Sequence, residues 1–207
     1  MQNLLKALHR KLCFLHTRRG IDFRAAECYT EGIEMKAWAA LPEKERQTMA
    51  EFADYPGSFD PFTNGHMDIV KKAARLFSRV YVLIGANTEK KRAYDAEKMK
   101  TAIEQAIADE GISNCVVCVH AGLTAAFAEQ NGIRYMVRGL RNNLDYNYEE
   151  NIAEVNKLIN PALETVYFRA DHAAVSSSMV RELRRYGQDA SNYVPAAVLA
   201  CLNACEA

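Results

Sequence analysis

The 207-residue chain has no run of the roughly 18 apolar residues that a membrane-spanning helix needs. It also has no internal repeat and no low-complexity tract, and its composition differs from those of collagens, disordered chains and disulfide frameworks. Neither sign of charge dominates, because 26 Lys and Arg residues balance 26 Asp and Glu residues. A dedicated nucleic-acid binder is usually basic. We therefore expect a globular protein whose partners include neither nucleic acid nor membrane.

The six cysteines do not predict disulfides or a metal site. No apolar segment precedes a small-residue cleavage site, so a reducing, cytoplasmic location is expected. Cys115 and Cys118 have the spacing of half a zinc site, but residues three apart on a strand point to opposite faces. Cys201 and Cys205 have no accompanying histidine cluster. We predict structural thiols and no protein metal site.

The N-terminal segment differs in character from the rest of the chain. Residues 1–21 contain basic residues, no acidic ones, and leucines near helical spacing. This pattern is typical of a transit segment or a membrane-surface helix. It also suits a solvated appendage, or sequence upstream of a true start near Met49. We favour an appendage or upstream sequence over a transit segment or a membrane-surface helix. The chain then divides into an extension over 1–48 and a domain over 49–207.

Strand and helix patterns alternate after residue 50. This alternation predicts an α/β fold, a Rossmann-like doubly wound parallel sheet of five strands with helices on both faces. Ligands of such folds bind beyond the carboxyl ends of the strands. Asp54 is an unfavourable residue for its strand. The predicted strands cover 51–55, 80–84, 115–119, 134–137 and 165–168, and the predicted helices cover 65–77, 95–109, 123–131, 144–159, 176–186 and a segment from 195.

The loop between the first strand and the first helix has the composition of an anion site. Gly57 lets the backbone approach a ligand closely, and Ser58 adds a hydroxyl donor. Gly65 and His66 open the helix, whose unpaired amides and dipole favour anions. The alternative is a capped turn with a chance histidine. Small, turn-forming and donor residues coincide in one loop, which favours the anion site.

Further donors follow other strands. Lys90 follows the second strand on a loop, where a lysine can reach a phosphate or simply be solvated. Arg138 and Arg141 flank Gly139 at the end of the fourth strand, and two guanidinium groups suit a polyphosphate. The serines at 176–178 precede a helix, which they can cap while also holding phosphate oxygens. Asp145 and Glu149 lie at the start of the long helix, where the helix dipole alone is enough to favour acidic residues.

These segments together resemble a known family. The first loop is similar to the Gly-Ser-Phe-Asp and Thr-x-Gly-His signatures of the nucleotidylyltransferase superfamily. The remaining motifs, in order, resemble the bacterial phosphopantetheine adenylyltransferases of coenzyme A biosynthesis, and the resemblance covers about 55–202. The motifs that carry it are Tyr55 to His66, Lys90 to Tyr94, Arg138 to Arg141, Asp145 to Glu149, and Ser176 to Arg181.

The resemblance implies an enzyme that transfers the adenylyl group of ATP to 4′-phosphopantetheine. The products would be dephospho-coenzyme A and pyrophosphate. Mg²⁺ would bridge phosphate oxygens mostly through water, so no carboxylate cage is expected. A homohexamer and feedback by coenzyme A are further implications of the resemblance.

The resemblance also implies roles for individual residues. His66 would stabilise the transition state, with Lys90 and Arg138 as the other catalytic residues. The acceptor would be bound by Ser58, Lys90, Thr124 and Arg138. ATP would be bound by Ser58, Phe59, His66, Gly139, Leu140, Arg141, Glu149, His172, Ala173, Ala174, Val175, Ser176, Ser177 and Ser178.

Some positions depart from the family pattern, and three other functions stay open. Asp54 stands where an apolar residue is usual, Arg92 replaces a proline, and Thr124 replaces a longer apolar residue beside the acceptor arm. A nucleotidylyltransferase for nicotinate mononucleotide, pantothenate or a polyol phosphate is one alternative. A nucleotide-binding regulator without activity is another. The third is a membrane-associated or imported form that uses the basic first 21 residues.

Overall fold

The computed structural model describes residues 51–86, 92–141, 143–172 and 174–205. For Asn143 and Leu144 only the backbone is described. The predicted extension over 1–48, together with Lys90 and Ala173, lies outside the described residues.

The described part of the chain forms one parallel five-stranded sheet in the order β3-β2-β1-β4-β5. This confirms the predicted α/β fold and places β1 at the centre. Because the chain reverses direction across the sheet after β3, the switch point lies between β1 and β4. The elements are β1 (Phe52–Gly57), α1 (Asn64–Leu76), β2 (Arg79–Gly85), α2 (Ala96–Asp109), β3 (Cys115–His120), α3 (Thr124–Gln130), β4 (Tyr135–Leu140), α4 (Asn143–Ile159), β5 (Glu164–Arg169), α5 (Ser177–Arg185) and α6 (Ala196–Ala204).

Two apolar cores cover the two faces of the sheet. The larger core joins α1, α2, α5 and α6 to one face, with Val82 and Met99 among its fully buried members. The smaller core joins α3 and the end of α4 to the other face, through Tyr81 and Met136. Residues along β2 are almost all buried because strands inside a parallel sheet are covered on both sides.

Sequence signals for helix starts agree with the structure. The Asp95 carboxylate accepts a hydrogen bond from the Lys98 amide (2.9 Å), and the Ser176 hydroxyl accepts one from the Met179 amide (3.2 Å). Each side chain satisfies one amide that the first helical turn leaves unpaired.

The two cysteines of β3 lie on opposite faces of the sheet, as predicted. Cys115 packs against the larger core and Cys118 against the smaller one. Among the described residues, no helix is both long and apolar enough to cross a membrane.

Candidate active site

A cavity of about 350 Å³ opens beyond the carboxyl ends of β1 and β4. It lies at the switch point of the sheet, between the first turns of α1 and α5. This is the position at which open α/β sheets bind ligands. Its lining consists of Tyr55, Pro56, Gly57, Ser58, Phe59, Thr63, Gly65, His66, Ile69, Arg138, Gly139, Arg141, Glu149, Ala170, Val175, Ser176, Ser177, Ser178 and Arg181.

The loop from β1 to α1 holds its shape through an aromatic cluster. Phe59 is 1% exposed, and its ring contacts those of Tyr55, Phe62 and His66 at centroid distances of 5.0 to 5.4 Å. Its φ of 43° is in the left-handed region that non-glycine residues rarely adopt. A Cβ on Gly57 would lie 2.7 Å from the Phe59 ring, so only glycine leaves room for this packing. Such backbone strain is common beside ligand sites.

His66 is held by a capping box at the start of α1. The Thr63 hydroxyl accepts a hydrogen bond from the His66 amide, and the Thr63 amide donates to His66 Nδ1 at 3.0 Å. Because Nδ1 accepts this hydrogen bond, the proton of a neutral ring lies on Nε2. The neutral ring therefore carries its N–H donor at Nε2, and the residue lines the cavity.

The surroundings of His66 keep its ring neutral. Burial lowers the pKa of His66 to about 4, and the positive charges of Arg141 and Arg138 add to that effect. At neutral pH the residue is thus a neutral hydrogen-bond donor. Its neutral state spares the site the cost of a buried charge when no ligand is bound.

Arg138 is the most firmly anchored cation of the cavity. Its Nε and Nη2 donate to the two carboxylate oxygens of Glu149 at 2.6 and 2.7 Å, and its Nη1 donates to the Pro56 carbonyl at 2.6 Å. The Arg138 side chain is only 20% exposed and that of Glu149 only 11%. A two-pronged pair of this kind fixes the plane of the guanidinium group. Two of its five N–H bonds take no part in these three hydrogen bonds, and Arg138 lines the cavity.

Arg141 and Arg181 add two more guanidinium groups to the lining. Arg141 Nε donates to Asp145 at 2.8 Å, and the side chain of Arg141 is 42% exposed. Arg181 Nη1 donates to the Asp60 carbonyl, and Nη2 donates to the Ser178 hydroxyl at 3.1 Å. Three arginines and one carboxylate line the described cavity, so its electrostatic preference is for anions.

The start of α5 faces the start of α1 across the cavity. The Ser177 hydroxyl donates to the Pro61 carbonyl at 2.8 Å, which joins α5 to the loop that carries Ser58. The Asp60 carboxylate in that loop accepts from the amides of Ala93 and Tyr94 at 2.9 and 3.0 Å. The starts of α1 and α5, where the helix dipoles are positive, both line this cavity and favour the binding of anions there.

Comparison with known proteins agrees with this geometry. The model of the cytidylyltransferase-like family matches residues 55–183. A phosphopantetheine adenylyltransferase of Lacticaseibacillus casei is 43% identical over 157 residues, which are 74% of this chain and 93% of the relative. One from Cytophaga hutchinsonii is 41% identical over 149 residues, 71% of this chain and 98% of the relative. The chain belongs to the phosphopantetheine adenylyltransferase family.

A solved structure shows the same fold at low identity. The bifunctional NMN adenylyltransferase/ADP ribose pyrophosphatase of Francisella tularensis has a TM-score of 0.60 and 15% identity. The match covers 77% of this chain and 51% of that one. At this level of identity the likeness extends to the fold alone.

Most residues that the family resemblance implicates lie together in the cavity lining. Thr124, Leu140, His172 and Ala174 are described but do not line it. His172 instead contacts Asp68 of α1, whose carboxylate oxygen lies 2.6 Å from Nδ1 and also accepts from the His172 amide. The residues within the lining are Ser58, Phe59, His66, Arg138, Gly139, Arg141, Glu149, Val175, Ser176, Ser177 and Ser178.

Three structural roles, carried by four residues, were not predicted from the sequence. Thr63 orients the His66 ring, and the Thr-x-x-His spacing of a capping box could have indicated this. Arg181 and Asp60 join α5 to the first loop across 121 positions of sequence, a contact that no local pattern indicates. Arg92 donates to the carbonyls of Tyr94, Gly85 and Phe59 at 3.1 to 3.4 Å, so it braces the same loop.

Proposed function

We propose that the protein transfers the adenylyl group of ATP to 4′-phosphopantetheine, forming dephospho-coenzyme A and pyrophosphate. Relatives with more than 40% identity over most of their length are named for this activity. The observation that carries the proposal is the neutral His66 ring, with an Nε2–H donor, in a cavity lined by three arginines. This arrangement suits charge stabilisation around a reacting phosphorus atom.

The acceptor phosphate attacks the α-phosphorus of ATP in line with the departing pyrophosphate. A new bond forms between an acceptor oxygen and the α-phosphorus, and the bond from that phosphorus to the bridging oxygen of the β-phosphate breaks. The electron pair leaves with pyrophosphate. A phosphate oxygen is already nucleophilic at neutral pH, so no covalent enzyme intermediate is needed. Catalysis then consists of positioning and charge stabilisation.

His66 acts on the reacting α-phosphate in this mechanism. Its Nε2–H donates a hydrogen bond to a non-bridging oxygen, on which negative charge is concentrated in the transition state. The capping box fixes the ring before substrate arrives, so no reorganisation is required at the moment of reaction.

The two substrates are held by different cations. Arg138, with its two remaining N–H bonds, and Ser58 hold the acceptor phosphate, and Lys90 joins them in our proposal. Arg141 and the start of α5 at 176–178 hold the triphosphate. Glu149 fixes Arg138 by accepting two of its hydrogen bonds and neutralises its charge while the site is empty.

Mg²⁺ bound together with ATP would neutralise negative charge on the phosphates in this proposal. Among the described residues, no group of three or more His, Cys, Asp or Glu side chains could hold a metal ion. Glu149, the one described carboxylate in the lining, is already paired with Arg138. These residues fit an ion that would be held mainly by the substrate rather than by protein carboxylates.

Pyrophosphate release tests the proposal directly. Purified protein is mixed with Mg²⁺ and ATP, with and without 4′-phosphopantetheine, and dephospho-coenzyme A is identified by mass spectrometry. We expect release that depends on the acceptor. Nicotinate mononucleotide, pantothenate and a polyol phosphate serve as comparison acceptors. A higher kcat/KM with any of these would refute the proposed substrate, and ATP binding without turnover would favour a regulator.

The assembly, regulation and location that we propose are a homohexamer, inhibition by coenzyme A and the cytoplasm. Val155 and Leu158 on α4 are 55% and 84% exposed, which supports burial in an assembly. Light scattering measures the mass, and a single monomeric species would contradict the hexamer. Inhibition is measured by adding coenzyme A to the pyrophosphate assay.

A further inference from the structure

Asp54 is an acidic residue buried in the middle of the central strand. Its side chain is 0% exposed, and neither carboxylate oxygen has a hydrogen-bond partner within the described structure. Buried polar groups are nearly always hydrogen-bonded, and a buried unpaired charge is strongly unfavourable. Buried positions in a central parallel strand are usually occupied by apolar side chains. A carboxyl group there requires a reason beyond packing.

The register of the sheet places Asp54 beside the anchor of Arg138. Asp54 is paired with Met136 of β4, and Arg138 lies two residues further along the same face. Pro56, two residues beyond Asp54 on its own strand, accepts the hydrogen bond from Arg138 Nη1. Asp54 is therefore separated by one residue from Pro56, whose carbonyl holds the guanidinium group of Arg138.

Asp54 and Arg138 interact electrostatically. Burial raises the pKa of Asp54 to about 8, although the positive charge of Arg138 opposes this rise. At neutral pH the Asp54 carboxyl is thus largely uncharged, and the charges of Arg138 and Glu149 cancel. Ionisation of Asp54 would give the three residues a net charge of −1. An incoming phosphate would then meet a local excess of negative charge.

Other titratable groups share this face of the sheet. Glu149 and Glu150 of α4 are engaged by Arg138 and by the Tyr167 hydroxyl, the latter at 2.6 Å. No described acidic side chain other than Asp54 is both fully buried and without a hydrogen-bond partner. The charged and titratable groups on the face are Arg79 and Tyr81 of β2, Cys118 and His120 of β3, Arg138 of β4, Tyr167 and Arg169 of β5, and Glu149 and Glu150 of α4.

We infer that Asp54 is a positioning residue whose carboxyl group must be protonated for the acceptor phosphate to bind tightly at Arg138. The proton stays on Asp54 while the phosphate is bound, because each negative charge disfavours the other. By linkage, phosphate binding draws a proton onto Asp54 when the pH is high enough to ionise it. The identity of the acceptor rests on the proposed function, whereas the coupling between anion and proton does not.

Calorimetric titration of the full-length protein tests this coupling. The probe is 4′-phosphopantetheine, and pantetheine, which lacks the phosphate, is the matched ligand control. Between pH 7 and pH 9 the affinity of the wild-type protein for 4′-phosphopantetheine should fall by about tenfold. Titration in two buffers of different ionisation enthalpy should show proton uptake near pH 8. Pantetheine should show neither effect.

Two variants separate Asp54 from other titrating groups. Asp54→Asn keeps the shape and cannot ionise, and Asp54→Val restores an apolar strand residue. Both should bind 4′-phosphopantetheine without the tenfold change and without the proton uptake. Lysines and thiols elsewhere titrate equally in all three proteins, so the difference between proteins isolates Asp54. A pH dependence in either folded variant equal to that of the wild type would overturn the inference.

Measurements on the wild type and the two Asp54 variants distinguish a failure of the proposed coupling from a failure of the proposed function. If 4′-phosphopantetheine is not the acceptor, turnover fails in every protein. Inorganic phosphate then replaces it as the probe of the Arg138 site. A fall in its affinity with rising pH in the wild type, absent from both variants, supports the coupling on its own. Equal profiles in all three proteins would refute the coupling even where turnover is normal.

Discussion

His66 owes its chemistry to three neighbouring influences on one ring. The Thr63 amide sets the tautomer, burial sets the charge, and the aromatic rings of Phe59 and Phe62 set the orientation. None of these influences depends on a bound ligand. The donor is therefore preorganised, and preorganised donors account for much of the rate enhancement of many enzymes.

Replacement of His66 tests that donor. We expect His66→Ala to lower kcat by about 10²–10³-fold, the cost typical of removing one such donor. The dissociation constant for ATP should change little, because the arginines and α5 remain. His66→Gln is the matched variant, since its side chain can still accept from the Thr63 amide. Stopped-time pyrophosphate assays and equilibrium binding give the two quantities, and near-normal turnover in His66→Ala would remove the residue from the mechanism.

Asp54 and His66 should affect the pH dependence of stability in opposite directions. The folded-state pKa of Asp54, about 8, is above its ordinary value of 3.8, so the folded state retains the proton and its contribution to stability is lost as pH rises from about 3.8 through 8. The folded-state pKa of His66, about 4, is below its ordinary value of 6.5, so its contribution to stability is lost as pH falls from about 6.5 to 4.

Urea unfolding of variants measures these two contributions. Asp54→Val should unfold at higher urea than the wild type, with the largest gain above pH 8, because it removes an unpaired buried carboxyl. The gain expected from protein mutations of this kind is about 1–3 kcal/mol at neutral pH. His66→Gln should lose less stability than the wild type on acidification from pH 6.5 to 4. A urea midpoint for Asp54→Val below that of the wild type at pH 8 would contradict the conclusion that burial of the Asp54 carboxyl group destabilises the protein.

At the scale of elements, the first loop and α5 form one unit. Arg181 contacts the Asp60 carbonyl and the Ser178 hydroxyl, and the Ser177 hydroxyl contacts the Pro61 carbonyl. The loop carries Ser58, which is proposed to hold the acceptor, while the start of α5 carries the serines proposed to hold ATP. Their connection keeps the two reacting phosphates in register, which is how positioning contributes to rate.

Removal of the Arg181 guanidinium should loosen this connection. We expect Arg181→Ala to lower the free energy of unfolding by about 1.5–3 kcal/mol, the range for hydrogen bonds to charged groups. The KM for ATP should also rise. Arg185→Ala is the matched control, because Arg185 is an exposed arginine one turn later on the same helix and does not line the cavity. Equal effects of the two substitutions would show that the loss of positive charge on α5, rather than the loss of this contact, changes the stability and the KM for ATP.

At the scale of the whole molecule, the sheet and the cavity lie within residues 51–205. The family match begins at residue 55. We predict that the protein shortened to begin at Met49 folds and retains the kcat/KM of the full chain. Circular dichroism and the pyrophosphate assay check folding and activity in turn. Loss of either on shortening would assign residues 1–48 a role in the catalytic unit.

Local patterns in the sequence were sufficient to predict the elements and the first anion loop. Apolar periodicity predicts the helices, continuous apolar runs predict the parallel strands, and Asp95 and Ser176 indicate helix starts that the structure confirms. These features depend on neighbours within about four residues, which the sequence displays directly. The first strand runs to Gly57 rather than residue 55, because pairing with β2 continues through Ile84.

By itself, the sequence determined the α/β class, the position of the site beyond the strands and most residues of the cavity lining. Only the tertiary structure decided the two-pronged pair of Arg138 with Glu149, the contact between Asp60 and Arg181, and the burial of Asp54 beside Arg138. These pairings depend on strand order and register, which bring together groups far apart in the chain. The charge states of His66 and Asp54 follow from the same packing, because removal from water shifts their pKa values.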